Sequence, residues 1–133
     1  MLSRRNFSAC AICAIAGFAA TEAQAQAAGL KRTILQKTEV PNTNYVTILA
    51  MVEIDAGANV ARHTHPGVES TYAVEGGLEL SVKGEPVKAI KAGDGFQVPA
   101  ETPHAARNGD KLTKLIVTFV VDKDKPLASP APE

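Results

Sequence analysis

Apolar positions along this chain fall into short runs of period two, broken every few residues by Gly, Pro, Asn or Asp. The stretch Lys31 to Val40 predicts a strand with Thr33, Leu35 and Lys37 on one face and Ile34 on the other. After the turn cluster Pro41-Asn42-Thr43-Asn44, Tyr45 to Ile54 is β-rich and apolar on both faces. That predicts a strand covered on both sides, or one at a subunit interface. Asp55-Ala56-Gly57-Ala58 then turns the chain into a strand that carries His63 and His65. Glu69 to Glu75 alternates, and Gly76-Gly77 signals a hairpin. In the next run Leu78, Leu80 and Val82 form a dry face against Glu79, Ser81 and Lys83. Val87 to Lys91 is another short strand, Phe96 and Val98 begin the next, and Lys114 to Val121 is a long β-branched one. Gly57, Gly76, Gly93 and Gly95 fall where turns are needed. No segment keeps a helical period, so the pattern predicts an all-β sandwich or barrel.

The two ends do not follow this pattern. Ser3-Arg4-Arg5-Asn6-Phe7, an apolar run from Ala9 to Ala20, and the small-residue site Ala23-x-Ala25 follow in the order of a secretory signal. The S-R-R-x-F start resembles a twin-arginine signal, which exports proteins already folded. Residues 1–25 are therefore expected to be a signal peptide, residues 26–121 the barrel and residues 122–133 a Pro-rich tail without a core of its own. The expected location is periplasmic or secreted, with no membrane attachment once the signal is removed. Cys10 and Cys13 lie inside the signal, so the mature chain would have no disulfide and no thiolate ligand. The chain carries 14 basic and 14 acidic side chains, a balance that offers no field for nucleic acid. A barrel of this size buries a modest core, and pairing with a second copy would help it.

The candidate chemistry lies in the histidine strand. Side chains at i and i+2 of a strand share a face, so His63 and His65 aim two imidazoles at one point. Glu69 lies beyond the turn dipeptide Pro66-Gly67 and can return a carboxylate on the next strand. His104 is the third histidine of the chain. Three imidazoles and one carboxylate suit a divalent first-row metal: Mn, Fe, Co, Ni, Cu or Zn. Glu69 could instead pair with Arg62 or Arg107.

Gly57, His63, His65, Glu69 and Gly76 meet the pattern G-x5-H-x-H-x3-E-x6-G in full. In this the chain resembles the cupin superfamily at its first motif. Gly93, Pro99, His104 and Asn108 resemble the second motif, G-x5-P-x-G-x2-H-x3-N, with Glu101 in place of its middle glycine. A glycine there would allow positive φ, which glutamate tolerates poorly. The resemblance implies a small antiparallel double-stranded β-helix, or jelly-roll, barrel. It implies His63, His65, Glu69 and His104 as the metal ligands, and a barrel that pairs as a homodimer. Thr71, Ala73 and Gln97 are expected to line a pocket for a small-molecule ligand beside the ion. Members of the family include metal-dependent dioxygenases, isomerases, lyases and decarboxylases, ligand-binding modules and structural barrels. A dioxygenase-like reaction on a small organic substrate is the first expectation, with Glu69 able to double as general base. A protein folded before export takes its metal in the cytoplasm, where Mn or Fe need not compete with Cu or Zn, so Mn or Fe is the expected ion.

Overall fold

The computed structural model describes residues 27–132, and the expected signal peptide lies outside the described residues. Ten strands follow in order: β1 (Leu30–Glu39), β2 (Tyr45–Ile54), β3 (Asn59–Thr64), β4 (Gly67–Glu75), β5 (Gly77–Val82), β6 (Lys88–Lys91), β7 (Gly95–Val98), β8 (His104–Asn108), β9 (Thr113–Asp122) and β10 (Ser129–Pro130). They form two five-stranded antiparallel sheets, ordered β1-β2-β9-β4-β7 and β10-β3-β8-β5-β6. The chain crosses between the sheets repeatedly, and the two inner faces enclose the core as a jelly roll. No helix occurs among the described residues. The all-β jelly roll expected from the pattern is the fold observed.

The core follows the period-two pattern. On β2, Val46, Ile48, Ala50, Val52 and Ile54 are buried, and on β9 so are Leu115, Val117, Phe119 and Val121. Leu78, Leu80 and Val82 face them from β5, as their alternation with polar neighbours predicts. The β2 strand is not covered alike on both faces: its outward side chains Leu49 and Met51 are only half-buried.

Three local features depart from a regular strand. The first is a bulge between Ile34 and Gln36, which breaks the expected faces of β1. Thr33 lies opposite outward Met51, whereas Lys37 lies opposite inward Ile48, so the two point to different faces. The second is Gly67, which begins β4 rather than sitting in a turn. A Cβ there would lie 2.0 Å from the Val120 carbonyl oxygen, so only glycine lets β4 close on β9. The third is the segment after Val121, which is more than a tail. Asn44 Nδ2 donates to Asp122 and Asp124, Leu127 packs on the core, and β10 pairs with β3, placing Pro130 opposite His63.

The last buried motif residue ties loops together. Asn108 Nδ2 lies 2.7–2.9 Å from the carbonyls of Ile54, Asp55 and Lys111, which share its two hydrogens, and its Oδ1 accepts from Thr113 Oγ1 at 2.7 Å. One side chain thus joins the end of β2, the turn before β3 and the loop before β9.

Candidate metal centre

Four side chains far apart in the chain meet inside the barrel. His63 stands near the end of β3, His65 follows that strand, Glu69 is the third residue of β4, and His104 opens β8. His63 and His104 are directly opposed in the β3–β8 pair, which brings their ring centroids to 4.1 Å. His63 and His65 share a face as i, i+2 spacing requires, with Nε2 atoms 3.2 Å apart. Glu69 Oε2 lies 3.0 Å from His65 Nε2 and 3.3 Å from His104 Nε2. One ligand atom from each of the four lies within 4.8 Å of the others. His65, Glu69 and His104 are buried, and His63 is half-buried.

The backbone decides which nitrogen of each ring faces inward. His63 Nδ1 lies 2.8 Å from the Ala61 carbonyl, His104 Nδ1 2.9 Å from that of Thr102, and His65 Nδ1 2.6 Å from that of Leu127. A carbonyl only accepts, so each Nδ1 carries the proton and donates it. In the neutral rings every Nε2 then presents a lone pair. Three lone pairs and a carboxylate converge, two of the nitrogens only 3.2 Å apart, and nothing among them donates. His104 Nε2 is buried without a hydrogen bond, since its approach to Glu69 lacks the angle for one. Such a group of acceptors repels itself unless a cation sits among them. Imidazoles held by an outer N–H···O=C bond are also the usual way a protein orients metal-binding histidines. The residues present therefore fit a divalent ion with mixed N/O preference.

Electrostatics keeps His63 and Glu69 in their ligating forms. Burial, reinforced by nearby His104, pushes His63 down to about 4, against the pull of the Ala61 carbonyl, so the ring is neutral at pH 7. Burial raises the Glu69 carboxyl, but hydrogen bonding with His104 and His65, whenever a proton lies between ring and carboxylate, and with the Thr71 hydroxyl more than reverses it and holds the group well below the usual carboxylate range. Glu69 is thus an anion. Its Oε1 accepts from Thr71 Oγ1 at 2.7 Å, which leaves Oε2 to face the histidines. No ion pair joins Glu69 to Arg62 or Arg107 among the described residues; the guanidinium that feels its charge is that of Arg32.

The expected pocket residues fare differently. Thr71 is buried and orients the carboxylate instead of facing a ligand. Ala73 is fully buried in the core. Gln97 is exposed on the outer face of its sheet, where Nε2 donates to Ser70 Oγ at 2.9 Å, so it does not line the interior. The inner cavity has about 50 Å³ of free space and is walled by Leu30, Arg32, Phe96 and Phe119 around the four ligands. None of these four was singled out by the sequence. Arg32 and Leu30 come from β1, whose role depends on a long-range strand pairing that local pattern does not reveal. Glu101 keeps the left-handed conformation of the glycine it replaces, at φ 56°, with its side chain exposed. Its amide donates to the His65 carbonyl at 2.9 Å, tying the loop before His104 to the other histidine segment.

Comparison with known proteins agrees with this geometry. No curated protein matches the chain. Among solved structures, KdgF from Halomonas sp. is similar at 26% identity and TM-score 0.59, over 74% of this chain and 85% of that one. An RmlC-like cupin from Shewanella frigidimarina is similar at 29% identity and TM-score 0.58, over 72% of this chain and 79% of its own. The DMSP lyase DddQ from Ruegeria pomeroyi is similar at 25% identity and TM-score 0.60, over 64% of this chain. The match spans only 43% of DddQ. The model of the family described as "Cupin domain" matches residues 50–121, which hold all four converging ligands. With more than half of its length inside that match, this chain belongs to the cupin family.

Proposed function

We propose that this is an exported metal-dependent protein, whose ion is held by His63, His65, Glu69 and His104 and which acts on a small organic molecule. The observation that carries it is the set of three Nδ1–H donors spent on backbone carbonyls, which leaves three Nε2 lone pairs converging on one carboxylate. When bound, a divalent ion would supply a Lewis acid to a small ligand beside the four donors. The chain's part is to hold those four donors, to exclude bulk water with apolar walls and to keep Glu69 ionised. A carboxylate held well below its usual range is a weak base, so Glu69 serves first as a ligand and only second as an acceptor of protons.

A dioxygenase-like reaction is the first form of this proposal. A lyase is the second, and the likeness to a DMSP lyase favours it. The alternative is a periplasmic binding module that captures a ligand without turning it over. Oxygen uptake and product formation over a panel of small enolisable and phenolic compounds separate the three. Mn or Fe, acquired before export by the twin-arginine route, is the proposed ion. Elemental analysis of protein purified from its native compartment should find one Mn or Fe per chain; stoichiometric Zn or Cu would count against that choice. The outer face of the first sheet, with half-buried Leu49, Met51 and Ile116 and exposed Val68, Tyr72 and Val120, is the surface proposed for a homodimer. Light scattering should give twice the chain mass.

A further inference from the structure

We propose that Arg32 is the anion anchor of this centre, and that the molecule it selects is a small organic monocarboxylate with a short apolar body. The inference rests on the metal-dependent function proposed above and narrows it to a substrate class.

Arg32 stands on β1 opposite inward-facing Val52, so its side chain runs toward the barrel interior. Its guanidinium lies 5.7 Å from the centre of the Phe119 ring, and the same ring packs at 4.8 Å on His65. Arg32 therefore shares a packing partner with a metal ligand and feels the charge of Glu69. It also borders two spaces at once. One is the inner cavity of about 50 Å³ beside the four ligands. The other is a vestibule of about 320 Å³, also bordered by Arg62, Ser129 and Pro130. Leu30, Val60 and His63 line both spaces with Arg32, so Arg32 stands where the two spaces adjoin.

Charge then selects the ligand. Three neutral imidazoles and one carboxylate meet only half the charge of a divalent ion, so the loaded centre stays cationic inside apolar walls. No other acidic side chain borders either space among the described residues. A guanidinium presents planar N–H forks, the geometry that matches a carboxylate. The inner volume admits only a few heavy atoms beside the ion. Leu30, Val60 and Phe96 offer no partner to a hydroxyl-rich body, which disfavours a sugar. A carboxylate on Arg32 would direct the rest of a short molecule into the inner cavity.

Calorimetry on the metal-loaded full chain tests this with propionate and its neutral isostere propionamide. Propionate should bind at least about tenfold more tightly than propionamide. Arg32→Gln should remove that preference while elemental analysis finds the metal content unchanged, and Arg32→Lys should restore part of it. The wild-type comparison of the two probes keeps the test decisive if a variant fails to fold. Equal binding of both probes by wild type, or undiminished propionate binding by a metal-loaded Arg32→Gln chain, overturns the anchor and leaves the metal centre standing. A wild-type chain that takes up no metal overturns the centre and the anchor together.

Discussion

At the scale of single residues, the ligands and the groups that orient them make separable contributions. His65→Ala and His104→Ala each remove one ligand and little apolar core. Both should lower metal affinity by at least about 100-fold, beyond the range of changes to outer-sphere partners. Circular dichroism should still report a β-rich fold, and metal content after dialysis reads the loss. Glu101 makes the opposite prediction. A non-glycine residue at φ 56° costs about 1–2 kcal/mol, part of which a glycine returns through its freer unfolded chain. Glu101→Gly should therefore stabilise the barrel by about 0.5–1 kcal/mol, measured as a higher urea midpoint. His63, His65 and Glu69 were legible in the sequence because their spacing is local: an i, i+2 pair, then a carboxylate just past a turn. His104, on the distant β8, was legible only through its resemblance to the second motif. Gln97 was not, since assigning its face needs the register of β7 against β4, where it lies opposite outward Ser70. Arg32 was missed for a similar reason, because nothing near it in the chain hints that β1 closes over the centre.

At the scale of elements, the period-two pattern located the strands well, and β2 runs from Tyr45 to Ile54 as its apolar run suggests. What the pattern could not supply was whatever interrupts it. The bulge in β1 puts Thr33 and Lys37 on opposite faces, and no residue type announces it. Gly67 reads as half of a turn until β9 is known to pass within contact distance of its Cα. Gly67→Ala should cost about 3 kcal/mol or more, because the neighbour it would strike is backbone and cannot rotate away. The Pro-rich segment is the largest departure. Charged and proline-bearing, it looked detached, yet it pairs with β3 and gives a carbonyl to His65. Deleting residues 126–133 should leave the core strands folded while weakening metal binding by about 10- to 100-fold, the usual effect of losing an outer hydrogen bond to a ligand. A titration with a competing chelator measures it.

At the scale of the whole molecule, acid should act on the barrel through the buried site even when it holds no ion. His63 titrates near 6.5 in the unfolded chain and at about 4 in the barrel. Between those values the unfolded chain binds a proton that the folded one refuses, so the His63 contribution to stability is lost as pH drops through that window and changes no further below it. Glu69 adds to the same trend, because its unfolded carboxyl takes up a proton near 4.5 before the folded one does. The melting temperature of chelator-treated protein should therefore decline from pH 6.5 to pH 4. Added metal should raise it at pH 7.5 and do little at pH 4, where protons compete for the imidazoles. An equal rise at both values would show that the histidines do not bind the ion.

The three carbonyls that fix the imidazoles belong to Ala61, Thr102 and Leu127. Every amino acid brings the same C=O, so those positions can change identity without disturbing the rings they hold. Evolution could rewrite all three side chains and keep the centre intact, provided the path of the chain stays the same. The scaffolding around this site is thus written in backbone geometry, an alphabet that alignment of letters does not read.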